Sequence, residues 1–289
     1  MGKRYSHKIV IIILVTLFGC HRDISFFPTT SYYREKDFIQ TINKKNPDNI
    51  KIELTDENIF PVSGTVSHHL LVGSITNQWF KELKKLRDIK TFIILTPNHY
   101  NQGKEIISLS KKSWLTNNGI VKVNKKYVYT ILTNLKLKED DNAFHNEHGI
   151  GDIVPFIKLY FPKADIVPIS FDQFNKRIKK CNDLATQLST IIKKNRNVFI
   201  LVSTDFSHRA DIQTTLSRDL YSEKVINSFD PVKVNTIHSD NTAGLITLFF
   251  TLNEVGVYKT HIFSNTNAKN FDIKTPDDDI TSYFFTYQY

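Results

Sequence analysis

The segment VFILVSTDFSH, residues 198–208, joins an apolar run to a polar loop that ends in histidine. The run 198–203 predicts a central strand of a parallel sheet, because such strands are buried on both faces. Residues 91–96 form a similar run, and His99 follows it closely. Ligands bind beyond the carboxyl ends of strands in open α/β sheets. We therefore expect His99 and His208 at one functional edge of a sheet.

Strand-like and helix-like segments alternate along the rest of the chain. This alternation predicts an α/β fold, a three-layer sandwich with a largely parallel central sheet. The predicted strands are 50–54, 60–66, 91–96, 166–171, 198–203, 258–264 and 282–289. The predicted helices are 76–86, 127–135, 149–161, 174–194, 214–229 and 242–252, with a surface loop over 136–146 and Pro155 close to a first turn or kink. Asp240-Asn241 is the candidate N-cap of the last helix.

The composition is that of a folded basic protein. The 289 residues carry a net charge of +9, and 12% of them are aromatic, which disfavours disorder. The lysines are spread along the chain, so they predict a solvated basic surface. No recognised nucleic-acid module is present, and we expect no nucleic-acid partner. Attraction to anionic lipid is a further alternative.

The N-terminus has the features of an export signal. Three basic residues precede the apolar run 9–18, which would span about 15 Å as a helix, half the thickness of a bilayer core. The run ends in Leu-Phe-Gly-Cys20, which resembles a bacterial lipobox. We expect a lipoprotein signal peptide over 1–19, a lipid on Cys20, a tether over 20–45 and a folded domain over 46–289. The protein would then face outward from the bacterial cell envelope, although a plain secretory signal or an anchor helix is the alternative.

Most of the ten histidines stand beside predicted loops or helix starts. Imidazoles at such positions point to a metal or proton-transfer site, whereas any single histidine is more often a surface or structural residue. The chain has no Cys-x-x-Cys, His-Glu-x-x-His or glycine-rich phosphate loop, which disfavours a redox dithiol, a zincin and a P-loop enzyme. The histidines outside the signal and the strands are His68, His69, His99, His145, His148, His208 and His238.

Four elements resemble the Memo-like proteins, also called AmmeMemoRadiSam system protein B. They are TPNHY at 96–100, EHGI at 147–150 followed by Pro-Phe, IVPI at 166–169 and STDFSH at 203–208. The last is the most specific, and their order agrees over roughly residues 60 to 250. The resemblance implies the fold of the class III extradiol dioxygenases.

The resemblance also implies a set of metal ligands. His68 stands at the place of the family's first ligand histidine, with His69 as a rival, and His99 matches the second. The third ligand of the family is often a cysteine six residues before a helix glycine. Counting back six from Gly244 reaches His238, so an imidazole replaces the thiolate in this register. That change favours a divalent metal, with iron first and zinc or copper as alternatives.

Further roles follow from the same resemblance. His208 matches an acid/base histidine of the dioxygenase relatives, and His148 is a second catalytic candidate. Asp205 either orients a neighbouring imidazole or caps the next helix. Gly151 stands where the family usually carries a second glutamate, so a role for that carboxylate is in doubt.

Three functions compete on these observations. The first is a membrane-anchored, metal-binding Memo-like protein, an oxidoreductase or dioxygenase-like enzyme acting on a small molecule of unknown identity. The second is a non-catalytic metal-binding or scaffold lipoprotein that keeps the fold. The third is a surface lipoprotein whose histidines are only structural.

Overall fold

The structure is a computed structural model and describes residues 26–28, 35–56, 58–172 and 178–289. The signal peptide expected over 1–19 and the lipidation expected at Cys20 lie outside the described residues. Across these four ranges, no helix combines the length and the apolar character needed to cross a membrane.

The strands come from all parts of the described chain. They are β1 (Phe26–Pro28), β2 (Ser63–Val66), β3 (Thr91–Asn98), β4 (Ile107–Leu109), β5 (Ser113–Thr116), β6 (Gly119–Val121), β7 (Asp165–Asp172), β8 (Val198–Ser203), β9 (Phe206–Ala210), β10 (Thr260–Asn267) and β11 (Ile280–Gln288). The helices are α1 (Glu35–Asn43), α2 (Gly73–Leu86), α3 (Lys125–Leu135), α4 (His148–Gly151), α5 (Val154–Tyr160), α6 (Ile178–Lys194), α7 (Ile212–Ser228), α8 (Pro231–Val234) and α9 (Thr242–Val255).

The main sheet has the strand order β10-β11-β2-β8-β3-β7-β4, and β9 pairs with β11 beside it. Its centre, β2-β8-β3-β7, is parallel, while β4, β10 and β11 pair in the antiparallel sense. Helices flank this sheet, with α2 packed on α1 and α5, and α6 packed on α3 and α9. The predicted three-layer α/β sandwich with a largely parallel central sheet is confirmed.

Helix α2 shows why the predicted amphipathic pattern packs as it does. Trp79, Phe80 and Leu83 are fully buried, whereas the helix's lysines, Lys81, Lys84 and Lys85, are exposed. The Trp79 ring stacks on Tyr287 of β11 with ring centroids 4.8 Å apart. Gly64 of β2 leaves room for it, because a Cβ there would lie 2.5 Å from the Trp79 ring. The helix is thereby held across β2 and β11.

The strand predicted over 50–54 is wrong, because residues 51–56 have no regular structure. The segment still runs beside β10, where the backbone N–H of Glu53 donates to the carbonyl of Phe263 at 2.8 Å. The other hydrogen bonds to this segment come from side chains of β10 and not from its backbone. The Ser264 hydroxyl donates to the Lys51 carbonyl at 2.9 Å, and the His261 ring bonds the Glu53 carbonyl at 2.7 Å.

Two further segments differ from their predictions. The helix predicted over 149–161 is two helices, α4 and α5, and Pro155 lies in the first turn of α5. The loop predicted over 136–146 contains a 3-10 turn, Asp141–Phe144, whose phenylalanine is buried. The centroid of its ring lies 5.8 Å from that of Trp114. This packing fixes a segment that was predicted to be a surface loop because it is highly charged.

The segment predicted as a tether contains ordered structure. Both β1 and α1 fall within residues 20–45. Phe27 contacts Trp114 with ring centroids 4.7 Å apart, and Phe38 packs edge-to-face on Phe156 at 4.9 Å. These aromatic contacts place Phe27 and Phe38, two residues of the predicted tether, in the hydrophobic core.

Candidate metal centre

The carboxyl ends of three neighbouring strands bring the predicted residues together. His68 follows β2, His99 follows β3 and Asp205 follows β8, and β8 lies between the other two in the sheet. The His68 and His99 ring centroids are 4.8 Å apart. The edge predicted from the apolar runs is therefore the place where these side chains meet.

His99 is held from behind by a carboxylate. Its Nδ1 lies 2.6 Å from Oε1 of Glu147, and its backbone N–H donates to Oε2 at 2.8 Å. Glu147 is buried and also accepts from the Gly149 N–H at 2.7 Å as the N-cap of α4. A carboxylate on one ring nitrogen is the usual support of a metal-binding histidine. It directs the other nitrogen, Nε2, toward Asp240 Oδ2, 3.4 Å away.

His68 is held in a similar way by a hydroxyl group. Its Nδ1 lies 3.0 Å from Oγ of Ser203, and that hydroxyl donates to the carbonyl of Gly149. Since the hydroxyl has one hydrogen, it accepts from Nδ1–H of His68, and Nε2 of the neutral ring keeps its lone pair. Nε2 lies 3.2 Å from Asp240 Oδ2. When His68 is neutral, it is therefore oriented as a ligand in the tautomer that a metal requires.

The structure places His68, and not its rival His69, in this centre. Nδ1 of His69 lies 2.7 Å from the hydroxyl of Tyr283. His68 belongs to both groups of three residues that could hold a metal within the described ranges, and His69 belongs to neither.

Asp240 is the point on which the imidazoles converge. Its Oδ1 accepts from the backbone N–H of Asp205 at 2.9 Å and from the Thr204 hydroxyl at 3.1 Å, which leaves Oδ2 facing the histidines. The Nε2 atoms of His68, His99 and His208 lie 3.2, 3.4 and 3.5 Å from Oδ2. Sequence reasoning considered Asp240 only as part of a helix start and missed this role.

Two overlapping groups could hold a metal ion, His68-His99-His148 and His68-Asp205-Asp240, with the ligand atoms of each within 4.8 Å of one another. Two ligands of one zinc or iron ion, each about 2.1 Å from it, lie about 3.0–3.4 Å apart, and the distances to Asp240 Oδ2 fall close to this range. Asp205 Oδ1 is buried without a hydrogen-bond partner among the described residues. The donor set and this unsatisfied oxygen both fit a cation.

The histidines and Asp240 strongly shift one another's pKa values. Burial disfavours a charged Asp240, but the neighbouring His68 and His208 hold the pKa of its carboxyl well below the usual value. Burial also opposes a charged His99, yet Asp240 and Glu147 raise its pKa to about 10. The metal-free centre is therefore a cluster of imidazolium and carboxylate groups. A metal ion would take the place of the protons that the imidazoles share with Asp240.

His148 has the opposite electrostatic character. Its ring stacks on His99 with centroids 3.9 Å apart and an angle of 27° between the planes. Burial and the positive charges on His99 and His68 lower the pKa of His148 to about 2. A neutral imidazole keeps a lone pair that can bind a metal, but a pKa this low makes His148 a weak base, so the position suits a ligand role better than proton transfer.

His208 lies on β9 at the open side of the centre, and its side chain is 42% exposed. Burial lowers the pKa of His208, but the hydrogen bond and charge of Asp240 outweigh it, and the pKa is raised. Asp205 lies 3.7 Å from Nε2 of His68, whereas the helix cap that follows is provided by Asp211 at the start of α7. The structure thus places Asp205 beside an imidazole and not at a helix end.

His238, the third ligand in the sequence prediction, does not enter either group of ligands within the described ranges. It is exposed and lines a cavity together with His99 and His208. Its carbonyl accepts from the Ser207 N–H at 3.0 Å, and the chain then turns into α9. That turn carries Asp240, two residues later, into the centre instead.

Glu147 was the second residue without a predicted role. Its neighbour His148 and the start of α4 were part of the motif, and a carboxylate beside a histidine was the available signal. Gly149 completes the arrangement, since a Cβ there would lie 2.4 Å from Thr96 Oγ1 and 2.9 Å from Glu147 Oε1. Only glycine lets α4 approach β3 this closely.

Comparison with known proteins finds relatives over much of this chain. A "MEMO1 family protein" of Thermotoga maritima is 31% identical over 172 residues, 58% of this chain and 61% of the relative. Similar proteins from Caldivirga maquilingensis and Methanobrevibacter smithii are each 30% identical over 54% of this chain, and the match covers 55% and 56% of their lengths. The matched segment thus spans about three fifths or less of these relatives. The family model described as Memo-like protein matches residues 31–261, and the chain therefore belongs to the Memo-like family.

Proposed function

We propose that the protein binds one divalent metal ion, iron, through His68, His99 and Asp240, and that it is a dioxygenase-like oxidoreductase. This set combines the histidine pair of one candidate group with a carboxylate of the other. The observation that carries the proposal is the convergence of two supported Nε2 atoms on Asp240 Oδ2, at 3.2 and 3.4 Å. Two histidines and one carboxylate on one side of an open site are the ligands of non-haem Fe(II) oxygenases. Bound iron would supply redox and Lewis-acid chemistry there.

The chain's own residues would hold and move protons around this centre. Glu147 fixes the His99 ring, and Asp205 lies beside His68. His208 stands on the open side with its Nε2 3.5 Å from Asp240 Oδ2, and we assign it the acid/base role toward a bound substrate. His148 is kept neutral by its neighbours and is a weak base, so we assign this second catalytic candidate to orienting a substrate or binding the metal and not to accepting a proton.

Metal content tests the first part of the proposal. Protein purified without chelator, or metal-free protein given Fe(II) without oxygen, should contain close to one ion per chain by elemental analysis. His99→Ala should lose the metal, whereas His145→Ala, which changes an exposed histidine outside the ligand groups, should retain it. Wild-type protein that contains no metal and takes none up would overturn the proposal.

Oxygen consumption separates an enzyme from a metal-binding scaffold. Gly151 in place of the family's usual glutamate is the observation that favours a scaffold. If the iron-loaded protein consumes oxygen with a catechol or a reductant, and His208→Ala stops turnover while keeping the metal, the enzyme proposal is supported. A protein that retains its metal but consumes no oxygen with any catechol or reductant would support the scaffold function.

The same proposal places the protein at the bacterial cell envelope, held by a lipid on Cys20. Three basic residues, the apolar run 9–18 and Cys20 support it. Expression in a bacterium fed a labelled fatty acid should label the protein and bring it to the membrane fraction. Cys20→Ser should abolish both, whereas Cys181→Ser, at the chain's other cysteine, should change neither. An unlabelled wild-type protein would contradict the anchor.

A further inference from the structure

A cavity of about 570 Å³ opens in front of the metal centre. The site histidines line this cavity, and so do the apolar side chains of Leu70 and Leu71. A second cavity of about 490 Å³ shares His99, His208 and Arg209 with the first. Volumes of this order are typical of small-molecule sites. Among the residues that the structure describes, Arg209 is the one arginine that lines both cavities.

The backbone around His208 is arranged so that two neighbouring side chains reach these cavities. Successive side chains of a regular strand point to opposite faces. Here His208 and Arg209 are both exposed and both line the cavities. Ser207 and Arg209 have φ values of +40° and +52°, in the left-handed region that non-glycine residues seldom adopt. This departure from strand geometry turns Arg209 toward the site.

The strained segment is held by its surroundings. Phe206 pairs with Ser282 of β11, and Ala210 pairs with Ile280. The Ser207 N–H donates to the His238 carbonyl at 3.0 Å. Residues held in the left-handed region are strained and persist where the surrounding structure fixes them, often at ligand sites.

The guanidinium of Arg209 has no hydrogen bond or ion pair within the described part of the chain. The nearby carboxylates have cationic partners of their own, since Asp240 is surrounded by imidazoles and Glu147 bonds His99. Asp152 and Asp205 also line the larger cavity, and they would repel a doubly charged ligand more than a singly charged one. A monoanion at the cavity rim is the ligand that these charges fit.

We infer that the cavity binds a small organic monocarboxylate, with its carboxylate on Arg209 and its apolar body against Leu70 and Leu71. The planar guanidinium matches a carboxylate through two parallel hydrogen bonds. The inference rests on the proposed function in so far as it makes this molecule the substrate class of the metal centre. The carboxylate is held at the rim, which leaves the rest of the molecule beside His99 and His208.

Benzoate and its uncharged isostere benzamide test this assignment on the full-length protein. Titrations followed by calorimetry or NMR should show that benzoate binds more tightly than benzamide. Arg209→Gln should weaken benzoate about ten- to a hundredfold, the usual effect of losing a charge-assisted hydrogen-bonded pair, and leave benzamide unchanged. Arg209→Lys should retain part of the benzoate affinity.

Arg196→Gln is the matched control. Arg196 precedes β8 at the opposite edge of the sheet, where its guanidinium lies over the Phe60 ring at 4.7 Å. This variant should bind benzoate like the wild type. Equal benzoate affinity in wild type and Arg209→Gln, no preference over benzamide, or no binding of benzoate would each overturn the inference.

Running the titrations on metal-free and metal-loaded samples separates this inference from the metal proposal. Arg209-dependent benzoate binding in protein that takes up no metal would support the anion site while the metal proposal fails. Binding that requires the metal and is unchanged in Arg209→Gln would mean that the ion itself holds the carboxylate. In that case the anion site is wrong and the metal centre stands.

Discussion

Oε1 of Glu147 lies 2.6 Å from Nδ1 of His99, and the other oxygen of the same carboxylate accepts the His99 backbone N–H at 2.8 Å. The imidazole is thereby fixed in both position and ring rotation. Its Nε2 faces Asp240 across 3.4 Å. A ligand that is oriented before the ion arrives loses less conformational freedom on binding, so Glu147 should act on metal affinity without contacting the metal.

Glu147→Gln should weaken metal binding about ten- to a hundredfold, the usual effect of removing a carboxylate behind a ligand histidine. The amide keeps one acceptor oxygen for the α4 cap but removes the charge. Competition with a chromophoric chelator would measure the change. Glu139→Gln is the control, because Glu139 is exposed and pairs with Lys111 at 2.9 Å. Equal affinities of these two variants would show that Glu147 only caps the helix.

Asp240 and His238 are the two candidates for the third metal ligand. Asp240→Asn should reduce metal affinity at least tenfold, since it replaces the charged oxygen on which the imidazoles converge with a neutral amide. His238→Ala should leave the affinity within twofold, because His238 lies outside the ligand groups of the described residues. Metal stoichiometry after dialysis against a weak chelator measures both. The reverse result would restore the ligand set inferred from the family spacing.

The local pattern of apolar and polar residues was sufficient to predict much of the fold. The bounds predicted for β8, residues 198–203, are those observed, because a continuous apolar run between polar segments leaves few alternatives. Asn241 also caps α9 as expected from its position before the apolar helix. The strand predicted over 50–54 failed because side chains of β10 took part of its hydrogen bonding, a tertiary effect that periodicity does not encode.

The centre was predictable only in part for a related reason. His68, His99 and Asp205 follow strands, so the sheet edge predicts their meeting. Asp240 enters through a tertiary contact: the Asn241 amide donates to the carbonyls of Leu95 and Ser203 at 3.0 and 2.9 Å. These bonds hold the start of α9 against β3 and β8. They join residues that are far apart in the sequence, so no sequence spacing predicts them.

The packing of α1 allows a direct test of where the folded domain begins. Phe38 is 2% exposed and packs on Phe156, whereas its neighbour Ile39 is 46% exposed. Phe38→Ala should lower the free energy of unfolding by about 3–5 kcal/mol, the usual effect of emptying a buried phenylalanine site. Ile39→Ala should change it by less than about 1 kcal/mol. Urea denaturation of the two variants makes the comparison, and equal small effects would mean that this segment is a tether after all.

The pH dependence of stability should reveal the charge on His99. Burial opposes the charge, but Asp240 and Glu147 raise the pKa of His99 to about 10, above the value of about 6.5 in an unfolded chain. A raised pKa stabilises the fold fully below pH 6.5 and loses that contribution as the pH rises toward 10. Metal-free protein should therefore become less stable to urea between pH 7 and 10, while its affinity for metal should rise because the ion displaces a proton. His99→Gln should flatten the stability slope and His145→Gln should not; an unchanged slope in His99→Gln would mean that His99 is neutral in the metal-free protein.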